Sequence, residues 1–539
     1  MVRPFVGIAV AVLCIALAGC GGSGTGGPSD PGTEAASDVD SGIDAELTVD
    51  TGADQVQTDD FGADQVQADD FDADVTPPPA AVQAGAAKAS IDPVFEPYTD
   101  TNGNGHWDAG EPYEDKNKNN SFDTLYMGGF GFRHPTGSHD TLWARSVALR
   151  LGGELYVFTA LDTVGLSLKR SDAIKAKVAA ALTGERTIDP RRMFIASIHT
   201  HQAPDTVGIF APDNLAGWDE SYLRLVVDAA AASIIDAVAS LEPAHLRVTR
   251  AEGGADLVRD IDPPVIIDSY VGIMQAVRAG DGTAIATMVS IANHPEAAWG
   301  DNTLLSADYP FYLRQKVESN LGGMAVYFSS DLGLMQTPVE VAPAGFERAK
   351  QIGETYADRV LAAVGAAPLI DDTDVAPTFG WGTVTTVLQN FWLATAVVTE
   401  MADGFKDYLK VVDDGGPCSE FGCIDLPLPV LRLGSLTTVF CVPAELTPEL
   451  VVGGIVKPDT YESVYPDAPP EKVLKDYLKT PDRFLIGLCT CDVGYLYPKI
   501  TYNMDAVFSQ QHGPGEDAAA TYLNGLTGVL AEVNSLAGD

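Results

Sequence analysis

Positive charge is what this chain has least of: 33 Lys and Arg stand against 75 Asp and Glu, a formal net charge of −42 over 539 residues. So acidic a chain repels a phosphate backbone, which excludes nucleic acid as a partner and argues against direct electrostatic adhesion to anionic lipid. Histidine is scarce at eight residues, and cysteine numbers seven. After Leu17 no run is long and apolar enough to be a membrane helix. From Gly21 to about Gly85 the deficits coincide: fifteen Asp and Glu, no Lys or Arg, and few large apolar residues. Such a stretch cannot bury enough surface to offset the entropy of ordering it.

That stretch, residues 21–85, is therefore expected to be a disordered acidic tether. It carries a decapeptide repeat, GADQVQTDDF from Gly52 to Phe61 and GADQVQADDF from Gly62 to Phe71, too short and too polar to stack as a solenoid. A flexible chain of this length reaches roughly 45 Å, and farther when like charges extend it. Ahead of it, Arg3, the apolar stretch Phe5 to Leu17 and Leu17-Ala18-Gly19-Cys20 resemble a bacterial lipoprotein signal over residues 1–20. The resemblance implies export, lipid modification at Cys20 and an anchor in the outer membrane or at the cell surface, with the tether holding a globular domain off the bilayer.

Residues 86–539 show no second linker of like composition and predict one large domain. Strand-like apolar runs alternate with amphipathic helical stretches, which predicts an α/β fold with a mixed sheet core flanked by helices. Strands are expected at Glu154–Leu161, Met193–Ile198, Ala284–Ala292, Met324–Phe328, Leu436–Val442 and Phe484–Leu488. Helices are expected at Leu168–Leu182, Glu220–Leu241, Asp308–Leu321, Phe346–Val364 and Asp517–Leu536. The residues behind the strands carry chemistry: Asp162, then His199 and His201, His294, Asp331, Glu445 and Tyr495. In α/β sheets strand ends are where residues distant in sequence meet a ligand. His199 and His201, in IHTHQAP, are expected to leave their strand on one face because side chains alternate with period two. Imidazoles, a carboxylate and a phenol suit a borderline metal such as zinc with an open position.

A second metal pattern lies in an insertion over residues 100–126. DTNGNGHWDAGE puts Asp100, Asn102, Asn104, His106, Asp108 and Glu111 at the first, third, fifth, seventh, ninth and twelfth places of a calcium loop, with Gly105 at the sixth. A weaker copy follows in Asp115, Asn117, Asn119, Ser121 and Asp123, with Asn120 at the glycine position and Tyr126 where the bidentate glutamate belongs. A structural calcium staple is expected there.

The order AGAAKASIDP, GFGFRHPTGSHDTLWARSVAL, VFTALDTVGL, MFIASIHTHQAP, SIANHPEAA, FSSDLGLMQTP, VFCVPAEL and GLCTCDVGY resembles the N-terminal catalytic domain of the neutral and alkaline non-lysosomal ceramidase family, from about Ala84 to Asp539. The resemblance implies a zinc amidase with an N-acyl lipid or other N-acyl amide as substrate. His199, His294, Glu445 and Tyr495 would bind zinc, His201 would lie beside it and contact substrate or its attacking water, and Arg259 would contact substrate. One departure is chemical. Where the family has a serine required for ceramide hydrolysis, this chain has Gln336, which cannot act as nucleophile or proton donor. His512 and Glu516 are the nearest polar residues to a Tyr-Glu pair that is absent. The alternative is a non-catalytic surface lipoprotein that keeps the scaffold and binds calcium or a ligand.

Five cysteines follow the signal. In an exported chain disulfides are expected and one thiol is left over. Cys418 and Cys423 flank a short loop and are a plausible pair, while Cys441 can join Cys489 or Cys491.

Overall fold

The computed structural model describes residues 74–75, 82–103, 107–211, 216–340, 344–370, 372–412 and 415–539, all in one compact unit. Residues 1–20 with Cys20, most of the tether, and Asn104, Gly105 and His106 of the first loop lie outside the described residues. The first long strand, β1 (Gln83–Ser90), already takes in Gln83, Ala84 and Gly85. Asp74–Val75 also pairs with the backbone of Thr378 and Phe379.

The chain is a mixed α/β fold with two principal sheets. The larger is built from β1, β2 (Trp143–Leu151), β3 (Glu154–Leu161), β4 (Met193–Ser197), β5 (Glu242–Glu252), β6 (Tyr270–Arg278), β7 (Ala284–Ile291) and β8 (Met324–Ser329), in the spatial order β8-β7-β6-β5-β1-β2-β3-β4. β3 and β4 run parallel at one edge, as do β7 and β8 at the other. These four strands are nearly continuous apolar runs, as strands covered on both faces must be. The smaller sheet adds β9 (Pro377–Gly380), β10 (Val430–Leu433), β11 (Thr437–Cys441) and β12 (Asp482–Ile486) in that order.

The sheets pack face to face. Phe328 meets Phe484 with ring centroids 5.9 Å apart, Phe194 meets Phe379 at 6.5 Å, and Ser290 Oγ donates to the carbonyl of Leu485. α1 (Leu168–Ala181) and α2 (Glu220–Ala239) cover β1 to β3, α3 (Tyr309–Leu321) and α4 (Phe346–Ala366) cover β5 to β8, and α5 (Ala518–Leu536) covers the smaller sheet. α2 forms where its apolar stripe predicts: Tyr222, Leu223, Val226, Val227, Ile234 and Val238 are buried, and Asp219 caps the start by accepting from the N–H of Tyr222 (2.9 Å). Among the described residues no helix is long and apolar enough to cross a membrane.

The larger sheet curls until its two edges meet. Ser329 Oγ at the end of β8 donates to the carbonyl of Ile198 just past β4 (2.7 Å). The segment after β12 is stitched to both: Gly487 N–H donates to Ser329 (2.7 Å) and Thr490 N–H to Ile195 (2.6 Å). Leu488 and Thr490 sit at φ 46° and 75°, strained values for side-chain-bearing residues that these bonds hold in place. Cys441–Cys489 ties β11 to that segment, Cys418–Cys423 closes its short loop, and Cys491 is the buried free thiol.

Candidate metal centre

Curling brings the ends of β4, β7 and β11 to one place. His199 and His201 converge as expected, with ring centroids 4.9 Å apart, but strand alternation is not the cause. β4 ends at Ser197, and the chain turns at His199, whose φ is 66°. The turn is held by His199 N–H to Thr163 (3.0 Å) and His201 N–H to Pro295 (3.0 Å). His294 follows β7 and joins them, 4.9 Å from the His199 ring and 5.5 Å from that of His201.

Two of these rings have fixed tautomers. His199 Nδ1 donates to the carbonyl of Val164 (2.6 Å) and His294 Nδ1 to that of Met335 (3.0 Å), since a carbonyl can only accept. In each neutral ring Nε2 is then a lone pair, and both aim at one oxygen: Glu445 Oε2 lies 3.5 Å from His199 Nε2 and 3.0 Å from His294 Nε2. Glu445 sits in a two-residue parallel ladder opposite Tyr495, whose hydroxyl is 3.4 Å from His294 Nε2. Gly494 before it is obligatory: its φ is 77°, and a Cβ there would lie 1.6 Å from the carbonyl oxygen of His512. The His294 loop is braced from behind by Tyr309 and Tyr327, which both donate to the carbonyl of Asn293 (2.9 and 3.1 Å).

The electrostatics follow from burial. Desolvation, with the neighbouring His294, lowers His199 to about 4 despite Glu445. Desolvation and the rings of His199 and His294 take His201 well below the usual range. Burial alone would also lower His294, but its hydrogen bond and charge interaction with Glu445 reverse the sign. Burial would raise Glu445, yet His199 and His294 hold it below the carboxylate norm. Without a cation, then, mutually facing acceptors leave one proton to be shared. A divalent ion answers all of them at once, and two imidazoles, a carboxylate and a phenol are donors that a borderline metal takes. His199, His201 and His294 present donor atoms within 4.8 Å of one another, and so do His199, Glu445 and Asp492.

Asp492 and Glu296 are the two carboxylates that sequence reasoning missed. Asp492 accepts from Gly494 N–H (2.8 Å), and shielding from water together with the charge of Glu445 pushes it up to about 8. Glu296, two places after His294, is buried with Oε2 3.3 Å from His201 Nδ1. Their only sequence signal was position, one in CDVGY ahead of Tyr495 and the other in HPEAA.

The remaining expected residues fall in four places. Arg259 pairs in a short ladder with Gln336, donating from Nη2 to Oε1 (3.4 Å), so the two sit together beside the His294 loop. The one hydroxyl next to Gln336, Thr337, is buried and donates to the carbonyl of His294 (2.9 Å). Asp162 does not join the cluster: it forms a buried bidentate pair with Arg314 of α3 (2.6 and 3.0 Å), which needs its charge neutralised there. Asp331 is also elsewhere, buried beside Asp268 and Ser330. Glu516 accepts from Tyr465 (2.8 Å), away from the histidines.

The acidic insertion folds as two hydrogen-bonded loops. In the first, Glu111 accepts from the N–H groups of Thr101 (2.7 Å) and Asp108 (2.9 Å), and Asp100 accepts from Gly103 N–H (2.6 Å). In the second, Asp115 accepts from the N–H groups of Asn119 (3.1 Å) and Asn120 (2.9 Å), Asn117 and Asn119 donate to Asp123, and Ser121 N–H donates to Asn119 (2.7 Å). Asn120 adopts φ 62°, the left-handed turn that the sixth place requires.

No protein-family model matches the sequence, and no curated protein matches it. Solved structures do match in shape. A crystal structure of neutral ceramidase from Pseudomonas aeruginosa superposes with a TM-score of 0.58 at 15% identity, over 84% of this chain and 75% of that one. The fold is that of neutral ceramidase. A structure described as ceramidase complexed with C2 matches to the same extent. At this identity the ceramidase likeness speaks for architecture alone.

Proposed function

We propose that this chain is a metal-dependent amide hydrolase acting on an N-acyl substrate of the ceramide type, with zinc held by His199, His294, Glu445 and Tyr495. One observation carries this: the Nε2 atoms of two histidines whose Nδ1 atoms are held by main-chain carbonyls converge on one buried carboxylate oxygen, at 3.5 and 3.0 Å, with the Tyr495 hydroxyl beside them. Such an arrangement stabilises a cation and little else. When bound, zinc supplies Lewis acidity to a substrate carbonyl. The chain's own residues do the rest. Val164 and Met335 hold the two ligand rings in orientation, and Tyr495 brings its phenol hydroxyl to 3.4 Å from His294 Nε2. His201 is the base: its free nitrogen takes a proton from the attacking water as the carbon–oxygen bond forms, then returns it to the leaving amine as the carbon–nitrogen bond breaks. Arg259, beside Gln336, meets the polar part of the substrate. Gln336 cannot be a nucleophile, so hydrolysis proceeds by water.

The wider proposal keeps an exported lipoprotein anchored at Cys20, an acidic tether, and structural calcium on the loops at 100–126. A second reading, a surface protein that binds a ligand without turnover, draws on Gln336 and its contact with Arg259. Metal analysis of the purified chain with turnover of a panel of N-acyl lipids and N-acyl amino acids decides between them. Stoichiometric zinc with hydrolysis supports the enzyme. Zinc without turnover of any panel member favours the binding protein, and no zinc refutes the metal centre.

A further inference from the structure

We propose that Glu296 is the positioning residue for His201: its carboxylate takes the Nδ1–H of that ring and so fixes Nε2 as the lone pair offered to the reaction. This rests on the amide-hydrolase reading for its purpose but not for its geometry.

Glu296 is 1% exposed, and its Oε2 stands 3.3 Å from His201 Nδ1. Glu296 Oε1 and His201 Nδ1 are both buried with no hydrogen-bond partner among the described residues. Buried polar atoms left so are rare, and a small ring rotation turns this contact into a hydrogen bond. The seat around the ring leaves little other freedom. Phe130 packs edge-on at 5.1 Å, and a Cβ on Gly129, whose φ is 95°, would come within 2.5 Å of the His201 ring. Arg133 Nη2 donates to the carbonyl of His201 (2.6 Å). The carboxylate is itself placed from two sides: Asp308 accepts from the N–H groups of Ala297 (2.9 Å) and Ala298 (2.8 Å), and the N–H of Thr337 and the charge of Arg259 face it.

The three histidines therefore differ in what holds Nδ1. His199 and His294 use main-chain carbonyls, which orient a ring without adding charge. His201 alone among them uses a carboxylate, which also stabilises the ring when Nε2 takes up a proton. The proton taken up at Nε2 passes on to the leaving amine and not to Glu296. Its contribution is orientation and charge.

The test uses the full chain with 15N-labelled histidine, comparing wild type with Glu296→Gln and Glu296→Met. Long-range proton–nitrogen spectra should show His201 as the Nδ1–H tautomer in wild type and in Glu296→Gln, and as a mixture in Glu296→Met. On an N-acyl substrate kcat should fall ~10- to 100-fold in Glu296→Met with KM and zinc content unchanged, and Glu296→Gln should recover part of it. Two results overturn the proposal: the same His201 tautomer in all three proteins, or loss of zinc in Glu296→Met equal to that in His199→Ala. The tautomer is readable even if no amide is ever turned over, so failure of this inference and failure of the proposed function are separate outcomes.

Discussion

Glu445 and Tyr495 face each other as register partners in a parallel ladder, with Glu445 N–H donating to the carbonyl of Gly494 (2.9 Å). Main-chain hydrogen bonds, not the side chains, set this pair side by side. Replacing either side chain should therefore leave the backbone in place. Tyr495→Phe should keep the fold and weaken zinc binding, whereas His199→Ala with His294→Ala should lose zinc entirely. His201→Ala should keep the metal and lose rate. Zinc content by elemental analysis with melting temperatures checks this, and zinc surviving the double histidine variant would make the cluster structural.

Calcium should raise the melting temperature, because a ligand bound only by the folded state stabilises it by mass action. Asp100→Ala with Glu111→Ala should abolish that gain. Equal melting in calcium and in chelator would remove calcium from the loops.

Asp162 and Arg314 are both nearly inaccessible to water and bond each other bidentately. Asp162→Asn strands a buried guanidinium and should cost about 3–5 kcal/mol, measured by denaturant unfolding.

Glu449 gives a pH test away from the histidines. Burial, with the neighbouring Asp260 charge, raises its carboxyl to about 8. Because this lies above the unfolded value, the fold holds the proton more tightly, and the resulting stability is present in acid and lost as pH rises through about 8. Glu449→Gln should melt above wild type at about pH 9 and show no such advantage at about pH 5. Equal curves at the higher pH would mean that the carboxylate is solvated.

Lipid modification at Cys20 is read by mass spectrometry of the N-terminal peptide from membranes. Cys20→Ala should release the protein into the soluble fraction, and unchanged partitioning would count against the anchor.

What the sequence disclosed follows its physics. Strands made of branched and aromatic residues, such as Glu154–Leu161, were legible to within a residue or two. β1, QAGAAKAS, was not, because small residues carry no period, and Gly85 is there to let α2 approach: a Cβ would lie 2.2 Å from the carbonyl oxygen of Ala237. β5 mixes Arg, His and Glu with apolar residues on a half-exposed face, and nothing in it reads as core. At the site, His199, His294, Glu445 and Tyr495 stood out because each closes or follows an apolar run. Glu296 belongs to the cluster through burial and close approach and the half-buried Asp492 through close approach, neither of which leaves a pattern in the chain. Asp162 occupied a strand end yet served Arg314, since its partner arrives from a helix far along the sequence.

The seam between β4 and β8 fixes when the centre can come into being. Glu445 takes its register from Tyr495, and residues 487–490 sew the two sheet edges together. A chain folded only through β11 therefore has its histidines but no finished floor beneath them. The metal centre proposed above would then form late, coupled to docking of the final segments and closed to any folding intermediate that stops before them.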